Sequence, residues 1–345
     1  MNCRERFLSA LRLETPDRVP VFYQQLGGAR HVLQASGLTI KEGFHDPEVF
    51  ARIMMKAHEL FRYDNVMIGW GDLLTEAQAM GSAWKFPEKD YYPRAENYAV
   101  QGPEDVDKLV PVDPVEDRFW SVPLKAGALL QERIGREVAV LGSTISPFFL
   151  ASQLRGYENI MLDTVSDPAT VHRIVKVALE SLKMYGERIS ALGLEASFMD
   201  GSVASGQLIS PEMCGEYDIT YLRQLLERFR SLGIKTLVHN DAELPYLNQQ
   251  IEAGAAAVHY NNDLVDPVKV FREHGGKVCL ASGIDHGVLI FRKTPEEVEG
   301  KVREVIELFG DVPGLIMAPG SEIPFKSPLE NILRVREACE KHGRY

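Results

Sequence analysis

Two apolar rhythms alternate along this chain. Six segments open on a Ser, Thr or Asp followed by proline: Asp46-Pro47, Asp167-Pro168, Ser210-Pro211, Asp266-Pro267, Thr294-Pro295 and Ser327-Pro328. The first residue of each pair is a good N-cap, and proline in a first helical turn forfeits no hydrogen bond, so six helices are predicted to start there. Glu297 and Glu330 follow Thr294 and Ser327 by three residues, the spacing of a capping box. After Asp167, the residues Val171, Ile174, Val175, Ala178, Leu182 and Tyr185 recur at spacings of one, three and four, which makes one stripe of an amphipathic helix. Similar stripes follow the other caps.

Between the helices lie eight short apolar or β-branched runs, at 19–23, 66–70, 138–142, 196–199, 236–239, 255–260, 278–282 and 315–318. Runs this short and continuous suit strands covered on both faces, and their alternation with helices calls for right-handed crossovers in a parallel sheet. The expected class is α/β, and eight units predict a closed (β/α)8 TIM barrel. An open doubly wound sheet would carry a glycine-rich phosphate loop after its first strand, which Gln24-Gln25-Leu26-Gly27-Gly28-Ala29 is not. Residues 1–345 read as a single barrel domain with an N-terminal extension. Residues 81–117, rich in Pro, Tyr and charge, are expected to form an inserted excursion over one barrel mouth.

Composition narrows the partners. With 45% hydrophobic and 25% charged residues, the 345-residue chain can bury a large core, which excludes disorder, collagen and coiled coil. No apolar stretch approaches the ~20 residues that span a bilayer, and the first six residues lack a signal-peptide core, so a cytoplasmic protein with no membrane partner is expected. Thirty-eight Lys and Arg against 49 Asp and Glu leave a net charge of −11, which repels nucleic acid. Cys3, Cys214, Cys279 and Cys339 form no C-x-x-C pair, so neither a disulfide framework nor a thiolate zinc site is signalled. Gly-x-Ser-x-Gly, Walker, dinucleotide and His-Glu-x-x-His motifs are all missing.

In a barrel, chemistry collects at the C-terminal ends of the strands. The polar residues just past each run are Gln24 and Gln25, Asp72, Ser143 and Ser146, Asp200, His239 with Asp241, His259 with Asn261, Asp285 with His286, and Ser321 with Glu322. His239 and Asp241, two residues apart at a strand end, could share one divalent cation with Glu322 as third ligand; zinc accepts such nitrogen and oxygen donors. The bland alternative has Asp241 capping a helix over 246–251 while His239 bonds locally. Asp72 could steer a cationic or proton-sharing substrate group, or simply cap the next helix. His259 reads either as a substrate contact or as a satisfied core histidine. Tyr23, Trp70, Phe148 and Phe149 could wall an aromatic pocket, with Ser146 beside them, or fill the core; Cys279 reads as packing.

These residues resemble the uroporphyrinogen decarboxylase superfamily over essentially the whole chain. The resemblance is carried by Arg4-Glu5-Arg6-Phe7-Leu8-Ser9-Ala10-Leu11, Pro16-Asp17-Arg18-Val19-Pro20-Val21, Glu76-Ala77-Gln78-Ala79-Met80-Gly81, Ser146-Pro147-Phe148 with Leu154-Arg155-Gly156, and Ala318-Pro319-Gly320. It implies a TIM barrel, in agreement with the strand count, and it offers two branches. Decarboxylases of the superfamily hold a polycarboxylate porphyrinogen with an arginine-rich segment after the first strand and an aspartate after the second. Asp72 matches that aspartate, whereas the first-strand segment here is uncharged until Arg30, which makes decarboxylation the runner-up.

The other branch exchanges methyl groups with a cobalamin carried by a separate corrinoid protein. Its thiol-methylating members bind zinc through a His-x-Cys pattern and a later Cys, matched here by His239, Asp241 and Ser321. Oxygen in place of sulfur makes a bound metal a better Lewis acid and a poorer activator of thiols. The resemblance therefore implies a corrinoid-dependent methyltransferase that removes a methyl group from a small donor such as a methoxylated aromatic (O-demethylation). A zinc ion held by His239, Asp241 and Glu322 would activate the leaving oxygen, with Asp72, Asp200 or His259 orienting or protonating the substrate. No Asp-x-His-x-x-Gly corrinoid motif is present, so the cobalamin would arrive on the partner. A barrel that has lost catalysis and serves as a scaffold is the third reading.

Overall fold

The computed structural model describes residues 1–69, 74–86 and 92–345. Among the described residues nine strands form: β1 (Asn65–Met67), β2 (Ala83–Lys85), β3 (Arg94–Asn97), β4 (Ala139–Ile145), β5 (Ala196–Asp200), β6 (Lys235–His239), β7 (Ala257–His259), β8 (Cys279–Ile284) and β9 (Leu315–Pro319). Seven of them form one parallel sheet in the order β1-β4-β5-β6-β7-β8-β9. The predicted first strand, 19–23, is reduced to a single bridge between Val21 and Met317, yet it joins both edges of that sheet. The Phe22 N–H donates to the Met317 carbonyl and the Met317 N–H to that of Pro20, both at 2.9 Å, while the Asp64 N–H donates to the Val21 carbonyl at 2.9 Å. Pro20 has no N–H to give, and next to β1 the ladder is continued by a side chain. Asn65 accepts from the Tyr23 N–H at 3.2 Å and donates to the Tyr23 carbonyl at 3.1 Å. The architecture is TIM-barrel-like, as the alternation predicts.

The other seven runs hold within a few residues. The second is shorter than expected, and Trp70 and Asp72 lie outside the described residues. The third runs on to Ile145, so Ser143 is part of a strand rather than beyond it. Five of the six predicted caps form: Asp46, Asp167, Ser210, Asp266 and Thr294 each accept from backbone N–H groups of the helix that follows. Ser327 does not. Pro328 itself occupies the cap of helix Leu329–His342, and the Ser327 hydroxyl is buried without a partner. The helix after Asp167 runs from Pro168 to Ala191 and buries all six residues of the predicted stripe.

The core is a continuous set of buried apolar side chains from Phe7 to Cys339, lying inside the barrel and between strands and helices. The 81–117 excursion contains the antiparallel β2–β3 hairpin and a 3-10 turn, Pro103–Lys108. It reaches the barrel mouth, where the Tyr92 hydroxyl donates to the Glu322 carboxylate at 2.7 Å. Among the described residues no helix is long and apolar enough to cross a membrane.

Candidate active site

At the base of the barrel Asp64 is wholly buried and fully used. It accepts from Arg6 at 2.8 Å, from both Nη1 (3.1 Å) and Nη2 (3.0 Å) of Arg18, and from the Val21 N–H at 2.7 Å. That end pins the first strand in place. The opposite end is built differently.

Three strand ends are tied in a row at the mouth. The Ser146 N–H donates to the Asp200 carbonyl (2.7 Å), the Gly201 N–H to that of His239 (2.8 Å) and the Asn240 N–H to that of His259 (2.9 Å). In register, Asp200 pairs with His239 and His239 with His259. Paired residues of parallel strands share a face, so the three side chains stand side by side. The imidazole centroids of His239 and His259 are 4.6 Å apart, and Phe22 and Phe198 lie against them, at 5.2 Å from His259 and 5.3 Å from His239 respectively. Just past β6, the buried Asn240 side chain donates to the Ala204 carbonyl at 3.0 Å. That fixes a turn which folds Asp241 back, its carboxylate 3.8 Å from His239 Nε2, an ion-pair distance rather than a hydrogen bond. Ser321 and Ser202 lie beside Asp241 and help to hold its pKa down. The loop after β9 reaches this point because residue 320 is glycine: a Cβ there would sit 2.6 Å from Asn261 Cα.

The electrostatics separate the two histidines. Burial disfavours a charged His239, but Asp200, Asp241 and the His259 carbonyl outweigh it and hold its pKa above the usual value. His259 goes the other way: burial first, then the neighbouring His239 charge, push it well below the usual value. Its Nε2 lies 2.6 Å from the Pro319 carbonyl, which only accepts, so Nε2 carries the proton and Nδ1 presents a lone pair. Burial raises Asp200, although the Ser202 N–H (2.9 Å) and hydroxyl (2.6 Å) both donate to it. Asp241 is lowered, because His239, Ser321 and Ser202 more than offset its burial. The surroundings thus favour the protonated form of His239 and the neutral form of His259, a separation of titrating groups that marks acid–base sites. Both Nδ1 atoms are buried without a hydrogen-bond partner among the described residues. So is Nδ1 of His286, which lies within the field of Asp241 and His239 and whose pKa is lowered chiefly by burial.

The expected residues divide accordingly. Asp200, His239, Asp241 and His259 come together. Glu322 does not join them: its carboxylate is drawn to the Tyr92 hydroxyl, and among the described residues no three His, Cys, Asp or Glu side chains converge as a metal ion would require. The donor set is a His–Asp pair and does not fit the zinc site expected from the sequence. Asp241 does not cap the next helix either, since Leu247–Ala253 begins without a side-chain cap.

Three of the expected substrate contacts face the helical layer. Tyr23 packs edge-on to Tyr63 and donates to the Ile332 carbonyl at 2.6 Å. Ser146 caps helix Pro147–Arg155 and donates to Asp218 at 2.9 Å, and the buried Phe148 stacks on Tyr217. Trp70 and Asp72 lie outside the described residues. The aromatic neighbours of the histidines are Phe22 and Phe198, which sequence reasoning missed because an unbroken apolar run does not say which of its residues face inward. Ser202 was missed too, although Asp200-Gly201-Ser202, a polar turn at a strand end, was a usable signal.

Comparison with known proteins places these features. The chain is 24% identical over 348 residues to the methylcobamide:CoM methyltransferase MtbA of Methanosarcina mazei, covering 99% of this chain and 98% of that one. It is 25% identical over 354 residues to the uroporphyrinogen decarboxylase of Anaeromyxobacter dehalogenans, covering 98% and 99%. In structure it resembles a methyltransferase from Methanosarcina mazei with a TM-score of 0.90 over 99% of both chains, at 21% identity, which speaks to the fold. The uroporphyrinogen decarboxylase (URO-D) family model matches residues 2–342. This chain therefore belongs to the uroporphyrinogen decarboxylase family.

Proposed function

We propose that this protein is a corrinoid-dependent methyltransferase that moves a methyl group between a small substrate, a methoxylated aromatic, and the cobalamin of a separate corrinoid protein. The observation that carries the reading is the geometry at His239: its imidazole stands in register with Asp200, with Nε2 3.8 Å from the Asp241 carboxylate and Nδ1 buried without a partner among the described residues, and the two carboxylates hold its pKa above the usual value. Whole-length similarity to proteins named methylcobamide methyltransferases supports the corrinoid partner.

The chemical difficulty in demethylating an aryl ether is the leaving group. His239 Nδ1 donates its proton to the ether oxygen as the O–CH3 bond breaks, so that a neutral phenol leaves in place of a phenolate. The bond pair stays on oxygen and the methyl group departs without it. The partner's cobalamin, when docked, supplies the electron pair that receives the methyl group. Asp200 and Asp241 stabilise the imidazolium before transfer, and the buried lone pair of His259 Nδ1 accepts a hydrogen bond from the substrate. Proton donation of this kind contributes about 10²–10⁴-fold in rate. It would take the place of a Lewis-acid metal, since among the described residues Glu322 does not converge with His239 and Asp241.

The test uses the purified protein, 2-methoxyphenol and a corrinoid protein reduced to Co(I), with methyl transfer followed by the absorbance of the corrinoid. The wild type transfers methyl groups and keeps its rate after chelation, and His239→Gln loses at least a hundredfold. A His239→Gln protein of unchanged rate, or a wild type inactivated by chelator and restored by zinc, would overturn this acid role. The uncharged stretch from Gln24 to Ala29 disfavours the decarboxylase alternative, which requires carbon dioxide release from a porphyrinogen.

A further inference from the structure

Away from Asp64, at the N-terminal ends of β6 and β8, lies a cavity of about 290 Å³ that neither barrel closure nor the mechanism above uses. Leu11, Leu13, Ile251, Ala255 and Val278 make its lining largely apolar, and Leu11, Ala255 and Val278 are buried. Every charged residue that lines it is basic: Arg12, Lys235 and Lys277. A chain with 49 acidic and 38 basic residues would be expected to place a carboxylate among them. The carboxylates close by in the chain are engaged elsewhere. Glu14 neutralises Arg12 at 2.9 Å. Glu195, whose carbonyl accepts the Lys235 N–H at 2.8 Å, gives its carboxylate to Arg4. Lys277 Nζ donates to the Glu273 carbonyl at 2.9 Å, which is a neutral partner. Two ammonium charges, on Lys277 and on the half-buried Lys235, thus share one cavity without a carboxylate between them, and like charges so placed attract an anion.

The backbone adds a second observation. Helix Cys3–Leu11 ends in a turn in which the Leu13 N–H donates to the Ala10 carbonyl at 3.0 Å and the Glu14 N–H to that of Ser9 at 2.9 Å. Leu13 sits there at φ 59°, a left-handed position that glycine usually fills and that leucine occupies only at a cost. What leucine adds is its side chain. It is seated over Gly314, where a Cβ would lie 2.6 Å from Leu13 Cδ2, and it completes the apolar lining beside the lysines.

We propose that this cavity binds an amphipathic anion, a carboxylate carried on a short acyl chain. The carboxylate lies between Lys235 and Lys277, whose ammonium groups act as point charges and ask for no particular head-group plane. The chain covers Leu13, Ile251 and Val278. Acetate or free phosphate satisfies the lysines and leaves the apolar lining wet, while a neutral or cationic chain leaves the lysines unpaired. The site is separate from the mouth, where Asp200 and Asp241 repel a carboxylate: Lys235 and His239 stand at opposite ends of β6, about 13 Å apart along the strand. It does not depend on the methyl-transfer reading.

The experiment is calorimetric titration of the full-length protein at low salt with octanoate, acetate, inorganic phosphate and octylammonium. The wild type binds one octanoate, roughly tenfold or more tightly than acetate or phosphate, since burying two methylenes suffices for that ratio, and octylammonium does not compete. Lys235→Gln and Lys277→Gln each weaken octanoate about three- to fivefold, the size of an exposed ion pair. Lys235→Arg, which keeps the charge, retains the affinity and shows that the loss is not one of folding. Leu13→Gly, which suits the backbone, weakens octanoate about tenfold and leaves acetate as it was. Equal affinity for octanoate and acetate, or an octanoate affinity unchanged in the Lys235→Gln, Lys277→Gln double variant, overturns the site. Displacement of octanoate by saturating 2-methoxyphenol would move its binding to the mouth and overturn it as well.

Discussion

The two ends of the barrel treat buried polar groups in opposite ways. At the base, Asp64 meets two arginines and a backbone N–H, and every contact is between 2.7 and 3.1 Å. At the mouth, Nδ1 of His239 and of His259, Oγ of Ser143 and Oε1 of Gln24 have no hydrogen-bond partner among the described residues. An unpaired buried polar atom costs about 1–3 kcal/mol, so the mouth forgoes stability that the base secures. The base spends its charges on closing the barrel through the first strand. The mouth leaves its polar groups available to something that is not part of this chain, as expected where the C-terminal face carries the chemistry.

The sharpest way to break this contrast is at the base. Asp64→Ala leaves Arg6 and Arg18 buried without their shared carboxylate, and removing one partner of a buried ion pair costs about 3–5 kcal/mol. Urea denaturation measures it, and a loss under about 1 kcal/mol would show that the base is not the structural end. The complementary change, His239→Ala, is expected to lower methyl transfer at least a hundredfold, and it costs stability as well, because the buried imidazole packs on Phe198 and His259 and lies beside Asp200 and Asp241.

pH separates the regions further. His239 is held above its usual pKa, so its acid form and the methyl-transfer rate persist into more alkaline solution than an ordinary histidine would allow. Asp200→Asn or Asp241→Asn should move that alkaline limb to lower pH in a kcat profile; an unmoved limb assigns it to another group. Behind the barrel wall, burial raises Glu76 from 4.5 and Asp218 from 3.8, both to about 7. A raised folded pKa means that the native state holds a proton the unfolded chain has released. The stability these two carboxyls contribute is complete below about pH 4 and lost as pH climbs through 7. Glu76→Gln and Asp218→Asn should flatten the fall in Tm over that window, and an unchanged slope would place its origin elsewhere.

The smallest effect compares two helix starts. Thr294 accepts from the Glu297 N–H and Glu297 reaches back to the Thr294 N–H, so Thr294→Ala should cost about 1 kcal/mol. Ser327→Ala, in the same sequence context, should be neutral, because Ser327 caps nothing. Equal losses in Tm would contradict that assignment.

Residue order alone was enough for the barrel. Caps, stripes and apolar runs are local signals, each imposed by a few neighbouring residues, and seven of the eight runs became strands. The first run, 19–23, kept its place in the barrel but not its ladder, because Pro20 gives no N–H and Asn65 stands in for backbone, a substitution between residues 42 positions apart. At the site, Asp200, His239, Asp241 and His259 were readable as polar residues at strand ends. What each faces was not. Ser146 reads like the others, yet it caps a helix and holds Asp218, while Glu322, which the spacing offered as a ligand, is engaged by Tyr92 from 230 residues away. The order of residues along the chain determined which elements form and which polar groups arrive at the mouth, since both follow from local periodicity. The tertiary structure alone decided which groups are paired and in which direction each histidine's pKa moves, because pairing and burial depend on strand register and on loops that are distant in sequence.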